Sequence, residues 1–223
     1  MRLTRRFAGL PLLAAAILAL CAPVAVRAED KTGGQEISLG NPDAPVTLVE
    51  FASITCPHCA RFNADVFPLL KTRYIDTGKV RYVFREVPIH EQEDAAGFLI
   101  ARCAGPERYL AVTDALFRAQ PLLFEKRDLH GWLTAGATAG GLDDAQMRAC
   151  ISDVAAIQAF NARAEHTMTV DKVDSTPTVV VNGRRVAAKG AEFTIADLDA
   201  ALRPLLGGRT AGSLRRSNRP SVH

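Results

Sequence analysis

The sequence predicts an α/β domain carrying an inserted all-helical subdomain. Three observations lead there. A strand–helix–strand pattern runs from Val46 to Phe84, helical periodicity alone fills the region from about 91 to 170, and strand character returns at Thr178–Val181 before one last helix. A helix between two buried strands implies a parallel pair joined by a right-handed crossover, and a helix-only block between two β-containing segments reads as an insertion.

Taken in order, residues 1–28 read as a secretory signal. Arg2, Arg5 and Arg6 supply a positive start, Leu10 to Leu20 an uncharged apolar stretch, and Val26-Arg27-Ala28 a small-residue cleavage site. The apolar stretch is shorter than the roughly 20 residues of a membrane span, so cleavage near Ala28 is expected. Two other readings are weaker: a twin-arginine signal at Arg5-Arg6, which Phe7 follows at once, and lipidation at Cys21, which bulky Leu20 precedes. Export places the chain where disulfides persist.

Residues 29–45 form an N-terminal segment, with a short edge strand at Ile37 and Leu39 and a turn at Asn41-Pro42-Asp43-Ala44-Pro45. Residues 46–88 hold the first half of the α/β domain. Val46–Ala52 is a buried strand, and Pro57 suits the first turn of the helix that follows. Cys59, Phe62, Val66, Phe67, Leu70 and Tyr74 carry that helix to about Thr77, where Gly78 ends it. Pro68 should kink it, because its ring and missing N–H disrupt the bond to Ala64. Val80–Phe84 is the second strand, with Arg85 and Glu86 read as its solvated end.

The insertion, 89–170, is expected to hold helices at 92–103, 107–119, 128–139, 143–151 and 153–168. Phe117, Leu122, Phe124 and Trp132 are its expected core, although part of that set could instead line an apolar patch near the active site. The second half, 171–206, pairs Thr178–Val181 with Arg184–Ala187 across Asn182-Gly183, a strong hairpin signal. Thr194 and Asp197 resemble a capping box opening a helix over 195–206. Residues 207–223, with Arg209, Arg215, Arg216 and Arg219 among Gly and Ser, read as a disordered basic tail.

Composition limits the function. With 223 residues, 48% hydrophobic and 23% charged, the chain has an ordinary globular make-up. A net charge of +3 is too small for a nucleic-acid binder, so no nucleic-acid partner is expected.

The chemistry centres on Cys56-Pro57-His58-Cys59, at the end of a strand and the start of a helix. The thiolate is the species that attacks and leaves in disulfide exchange. Helix N-terminal amides and the helix dipole favour negative charge on Cys56, and His58 can offer a proton-bearing nitrogen or a positive charge. Both lower the Cys56 pKa and make the disulfide oxidising. Cys59, one turn further, should be more buried and should resolve mixed disulfides. Half a zinc site would need two further ligands. The sequence has no second CxxC and no HxxxH, and His90, His130 and His166 are scattered singly; no metal and no cofactor are expected. Glu50, inside an apolar strand, is costly to bury unless paired or used. Once Cys21 is removed, Cys56, Cys59, Cys103 and Cys150 permit two pairs.

The segment Glu50-Phe51-Ala52-Ser53-Ile54-Thr55-Cys56-Pro57-His58-Cys59 resembles the active-site segment of the DsbA family of thioredoxin-fold disulfide oxidoreductases, with Pro57-His58 as the oxidase-type dipeptide. Ser175-Thr176-Pro177-Thr178-Val179 resembles that family's second signature, and the resemblance covers about residues 37–206. It implies a thioredoxin-like fold with an inserted helical subdomain. It also implies a periplasmic thiol oxidase that puts disulfides into unfolded exported proteins bearing free thiols. A substrate thiolate would attack the Cys56–Cys59 disulfide, a mixed disulfide would form through Cys56, and Cys56 would leave. Re-oxidation would come from a DsbB-like, quinone-linked membrane oxidase. Pro177 would be cis and face Cys56, and Thr176 would offer backbone groups to an extended peptide. Glu50 would shuttle a proton to or from Cys59. Cys103 and Cys150 would form a second, structural disulfide, free thiols being the alternative. A reductase or isomerase of the same fold is the near alternative; with about 16 residues between Ala28 and the first turn, a monomer is expected. A chaperone-like peptide-binding module with an idle disulfide is the more distant one.

Overall fold

The computed structural model describes residues 29–30 and 34–207. The signal-peptide reading of 1–28 and the tail reading of 208–223 lie outside the described residues. Strands β1 (Glu29–Asp30) and β2 (Gly34–Gln35) pair with each other. The main sheet contains β3 (Ile37–Leu39), β4 (Val46–Ala52), β5 (Val80–Glu86), β6 (Thr178–Val181) and β7 (Arg184–Val186), in the order β3-β5-β4-β6-β7. The β4–β5 pair is parallel and every other pair in this sheet is antiparallel. Strand β4 is therefore paired on both edges and lies in the middle of the sheet. Its alternation points Leu48, Glu50 and Ala52 to one face and Val49 and Phe51 to the other.

The chain between β4 and β5 is helical throughout, but not one α-helix. It runs as α1 (Pro57–Arg61), a π-helical segment (Phe62–Val66), α2 (Phe67–Leu70) and a second π-helical segment (Lys71–Ile75). Pro68 falls in the first turn of α2, straight after the wider π turn. The π turn, closed by the Phe67 N–H on the Phe62 carbonyl, supplies the room a proline ring needs. Gly78, at φ 70°, ends the run. Phe62, Val66, Leu70, Leu48, Tyr82, Val179, Leu198 and Leu202 form part of one continuous core, which extends into the insertion. A smaller cluster of Phe51, Val87 and Val173 lies apart from it.

The insertion contains α3 (Glu91–Cys103), α4 (Pro106–Arg118), α5 (Gln120–Phe124), α6 (Leu129–Ala139), α7 (Asp144–Ile151) and α8 (Val154–Thr169). The short α5 falls between the helices expected at 107–119 and 128–139; five residues are too few to show a period. Trp132 is fully buried, its indole N–H on the Leu116 carbonyl at 2.9 Å. Phe117 is also buried, but Phe124 is exposed and not core. Cys103 and Cys150 form a disulfide that joins the ends of α3 and α7, with Cα atoms 5.9 Å apart. The last helix, α9 (Ile195–Gly207), opens with reciprocal Thr194–Asp197 bonds. No described helix is long and apolar enough to cross a membrane.

Glu86 corrects the reading of the β5 end. The strand continues to Glu86, which pairs in register with Ala52 and is buried, not solvated. Its carboxylate accepts from Arg102 Nε at 2.7 Å, Arg163 Nε at 2.8 Å and the Tyr109 hydroxyl at 2.9 Å. These donors lie on α3, α8 and α4, so one carboxylate ties three helices of the insertion to the sheet.

Candidate active site

Cys56 is the N-cap of α1 and Pro57 is at its first turn, so the helix begins at the sulfur. The approach is held from the insertion. Asp94, buried in the first turn of α3, accepts from the Ser53 hydroxyl at 3.0 Å, the Thr55 hydroxyl at 2.8 Å and the Thr55 N–H at 3.2 Å. Gln120, at the start of α5, donates to the carbonyls of Ile54 at 2.9 Å and Cys56 at 3.1 Å. Sequence reasoning missed both. An acid in a helix's first turn is an ordinary feature, and an isolated Gln carries no signal.

Both active-site sulfurs are free in this structure and both residues are buried, Cys56 5% exposed and Cys59 not at all. Of the two, Cys56 is the more exposed. The Thr176–Pro177 peptide bond is cis, and the Cys56 thiol donates to the Thr176 carbonyl at 3.5 Å. The Thr176 hydroxyl is buried with no partner in this dithiol form, where it is placed to donate to a thiolate. The Cys56 pKa is pulled down to about 5, chiefly because the Cys59 thiol donates to a Cys56 thiolate. Burial opposes this, while Thr176 and the main-chain N–H groups of Cys59 and His58 assist. Burial first, then the neighbouring sulfur, raises Cys59 well above the ordinary thiol range. The two sulfurs are thus driven apart: one is ready to leave as an anion, the other keeps its proton.

The main-chain N–H of His58 is among the groups that favour the Cys56 thiolate. The imidazole, about half exposed, meets Glu192, with Nδ1 2.8 Å from Oε1. Arg61 Nε lies 2.7 Å from the same oxygen. Glu192 sits in the loop before α9 and was not legible in sequence.

Glu50 lies on the core face of β4, only 2% exposed, and accepts from the Tyr82 hydroxyl at 2.7 Å. Burial raises its pKa to about 7, with the Tyr82 bond opposing, and its charge is felt at Cys59. It also borders a cavity of about 220 Å³ lined by Asn63, Lys71, Tyr82 and Asp114 among others. A larger groove of about 520 Å³ runs beside Pro57, Ala60, Phe117, Pro121 and Phe124. Among the described residues, no cluster of three His, Cys, Asp or Glu side chains is arranged to hold a metal.

The sheet, the helix-capping CxxC and the facing cis-proline define a thioredoxin-fold protein with a helical insertion. A family model described as Thioredoxin matches residues 32–202, and the chain belongs to that family. Among solved structures, Wolbachia pipientis alpha-DsbA1 superposes with a TM-score of 0.69 at 24% identity, covering 77% of this chain and 91% of that one. Bacillus subtilis BdbD, in its oxidised form, gives 0.64 at 22%, covering 78% and 94%. The architecture is therefore that of the DsbA proteins. Among curated relatives, a putative protein-disulfide oxidoreductase of Rickettsia bellii is 30% identical over 173 residues, 77% of this chain and 66% of the relative. Disulfide bond formation protein D of Bacillus subtilis is 36% identical over 114 residues, 50% of this chain and 49% of the relative. The chain spans less than two thirds of the length of the curated relatives it matches.

Proposed function

We propose that this protein is a thiol oxidase that transfers the Cys56–Cys59 disulfide to the cysteines of other proteins. The observation that carries the reading is the split between the two sulfurs, Cys56 held as an easily formed thiolate and Cys59 as a thiol. A substrate thiolate attacks Cys56, the more accessible sulfur, and Cys59 leaves. Glu50, on the core side of the sheet and close enough for its charge to act on Cys59, supplies the proton that sulfur takes. A second substrate thiolate then attacks the substrate sulfur of the mixed disulfide, and Cys56 leaves as a stabilised anion. Two electrons pass from the substrate dithiol to the enzyme. Thr176 and cis-Pro177 bind the substrate as an added strand opposite Cys56.

The curated relatives named putative protein-disulfide oxidoreductase and disulfide bond formation protein D support this reading. It includes export to the periplasm, exported proteins with free thiols as substrates, re-oxidation by a DsbB-like membrane oxidase, and a monomeric enzyme.

Equilibration of the mature protein in glutathione buffers, read by mass tagging of Cys56 and Cys59, tests it. A stabilised thiolate predicts a potential near the roughly −120 mV that marks DsbA, and a value of about −200 mV or lower would indicate a reductase or isomerase. Cys56→Ser should abolish oxidation of a reduced protein substrate. Retained activity in that variant would refute the assignment.

A further inference from the structure

The loop between β7 and α9 places one acid against the active-site helix. Phe193 packs edge-on to Phe62, with ring centroids 6.0 Å apart, and Thr194 is tied to Asp197 at the start of α9. Glu192 is thereby held over α1, where its Oε1 meets His58 Nδ1 at 2.8 Å, Arg61 Nε at 2.7 Å and Arg61 Nη2 at 2.5 Å. A carboxylate only accepts hydrogen bonds, so the His58 contact requires hydrogen on Nδ1. Arg61 Nη2, 3.0 Å from the same nitrogen, then has no lone pair there to donate to, and both its fork nitrogens serve Glu192. One carboxylate thus holds the side chain of the CxxC histidine and the guanidinium one turn further along the helix.

We infer that Glu192 is a positioning residue that restrains the oxidising strength of the Cys56–Cys59 pair, by binding His58 and offsetting the positive charge of Arg61 beside the Cys56 thiolate. The inference rests on the thiol-oxidase reading of the pair. Its direction follows from charge. The reduced enzyme carries the thiolate, and whatever stabilises that anion makes the disulfide the stronger oxidant. Arg61 stands at the end of α1, the helix that Cys56 caps, where the Cys56 charge acts on it more weakly than that of Glu192. Glu192 opposes that attraction, and because Glu192 and both its partners are partly solvent-exposed, the effect is modest.

The test uses Glu192→Gln, which keeps the size and the acceptor oxygen while removing the charge, and Arg61→Gln, which removes the opposite charge. Wild type and both variants are equilibrated with glutathione at pH 8, above the ordinary histidine range. E192Q should shift the equilibrium constant toward the reduced enzyme by about two- to fivefold. At 29.6 mV per factor of ten, this raises the potential by about 9–21 mV. R61Q should lower it. Equal potentials in all three proteins, or a shift of both variants in one direction, would overturn the inference while leaving the oxidase reading intact. A wild-type pair that does not exchange with glutathione at all would overturn both.

Discussion

Glu50 shows how much one buried side chain can depend on pH. Burial raises its pKa to about 7 from an ordinary 4.5, so folding favours the protonated form. The sign follows from linkage: the unfolded chain releases this proton near pH 4.5 and the folded protein only near 7. The stabilisation is complete below the lower value, falls as pH rises between the two, and is gone above the upper one. The penalty for ionising Glu50 in the folded state is then about 3 kcal/mol, an upper figure. In the dithiol form, Glu50→Gln should be more stable than wild type at pH 8 and close to it at pH 4, measured by urea unfolding at both values. Residue types and chain order made Cys56, Cys59 and Glu50 legible as reactive groups. The partner of His58 was not legible, because Glu192 lies 134 residues further along the chain.

At the scale of elements, the contact between sheet and insertion decides the site. Asp94 on α3 and Gln120 on α5 clasp the turn before Cys56, and Glu86 on β5 clamps three helices. Glu86→Ala leaves Arg163, itself buried, facing a site without its carboxylate. Removing one partner of a buried ion pair costs about 3–5 kcal/mol, so the midpoint of chemical denaturation should fall accordingly, in reduced and oxidised protein alike. Helices with strong periods, such as α3, α4 and α8, could be placed from sequence to within a residue or so. The π turns on either side of α2 could not, because the three- and four-residue spacing from Cys59 to Tyr74 reads as one α-helix, and the five-residue α5 is too short to show a period.

Across the whole molecule, the Cys103–Cys150 bridge closes a loop of 47 residues in sequence separation, entirely within the insertion. Chain entropy sets its contribution at no more than about 4 kcal/mol. It ties the C-terminal end of α3, nine residues and so about 14 Å of helix from Asp94. The double variant Cys103→Ala/Cys150→Ala should therefore unfold at lower denaturant while its Cys56–Cys59 potential stays at the wild-type value, both read on the same preparation. A changed potential would mean that the bridge acts on the active site through α3.

The sequence by itself determined the reactive chemistry and the order of elements. A CxxC between strand and helix, alternating strands and an Asn-Gly hairpin are local patterns, and local patterns survive in one dimension. Tertiary structure alone decided which groups surround the sulfurs. It buried Glu86 where a solvated strand end was expected, put Phe124 in the groove beside Pro57 and not in the core, and set the His58 side chain against Glu192. Each of these outcomes depends on segments far apart in the chain meeting in space. Burial and charge pairing are properties of that meeting and are not written in any one stretch of residues.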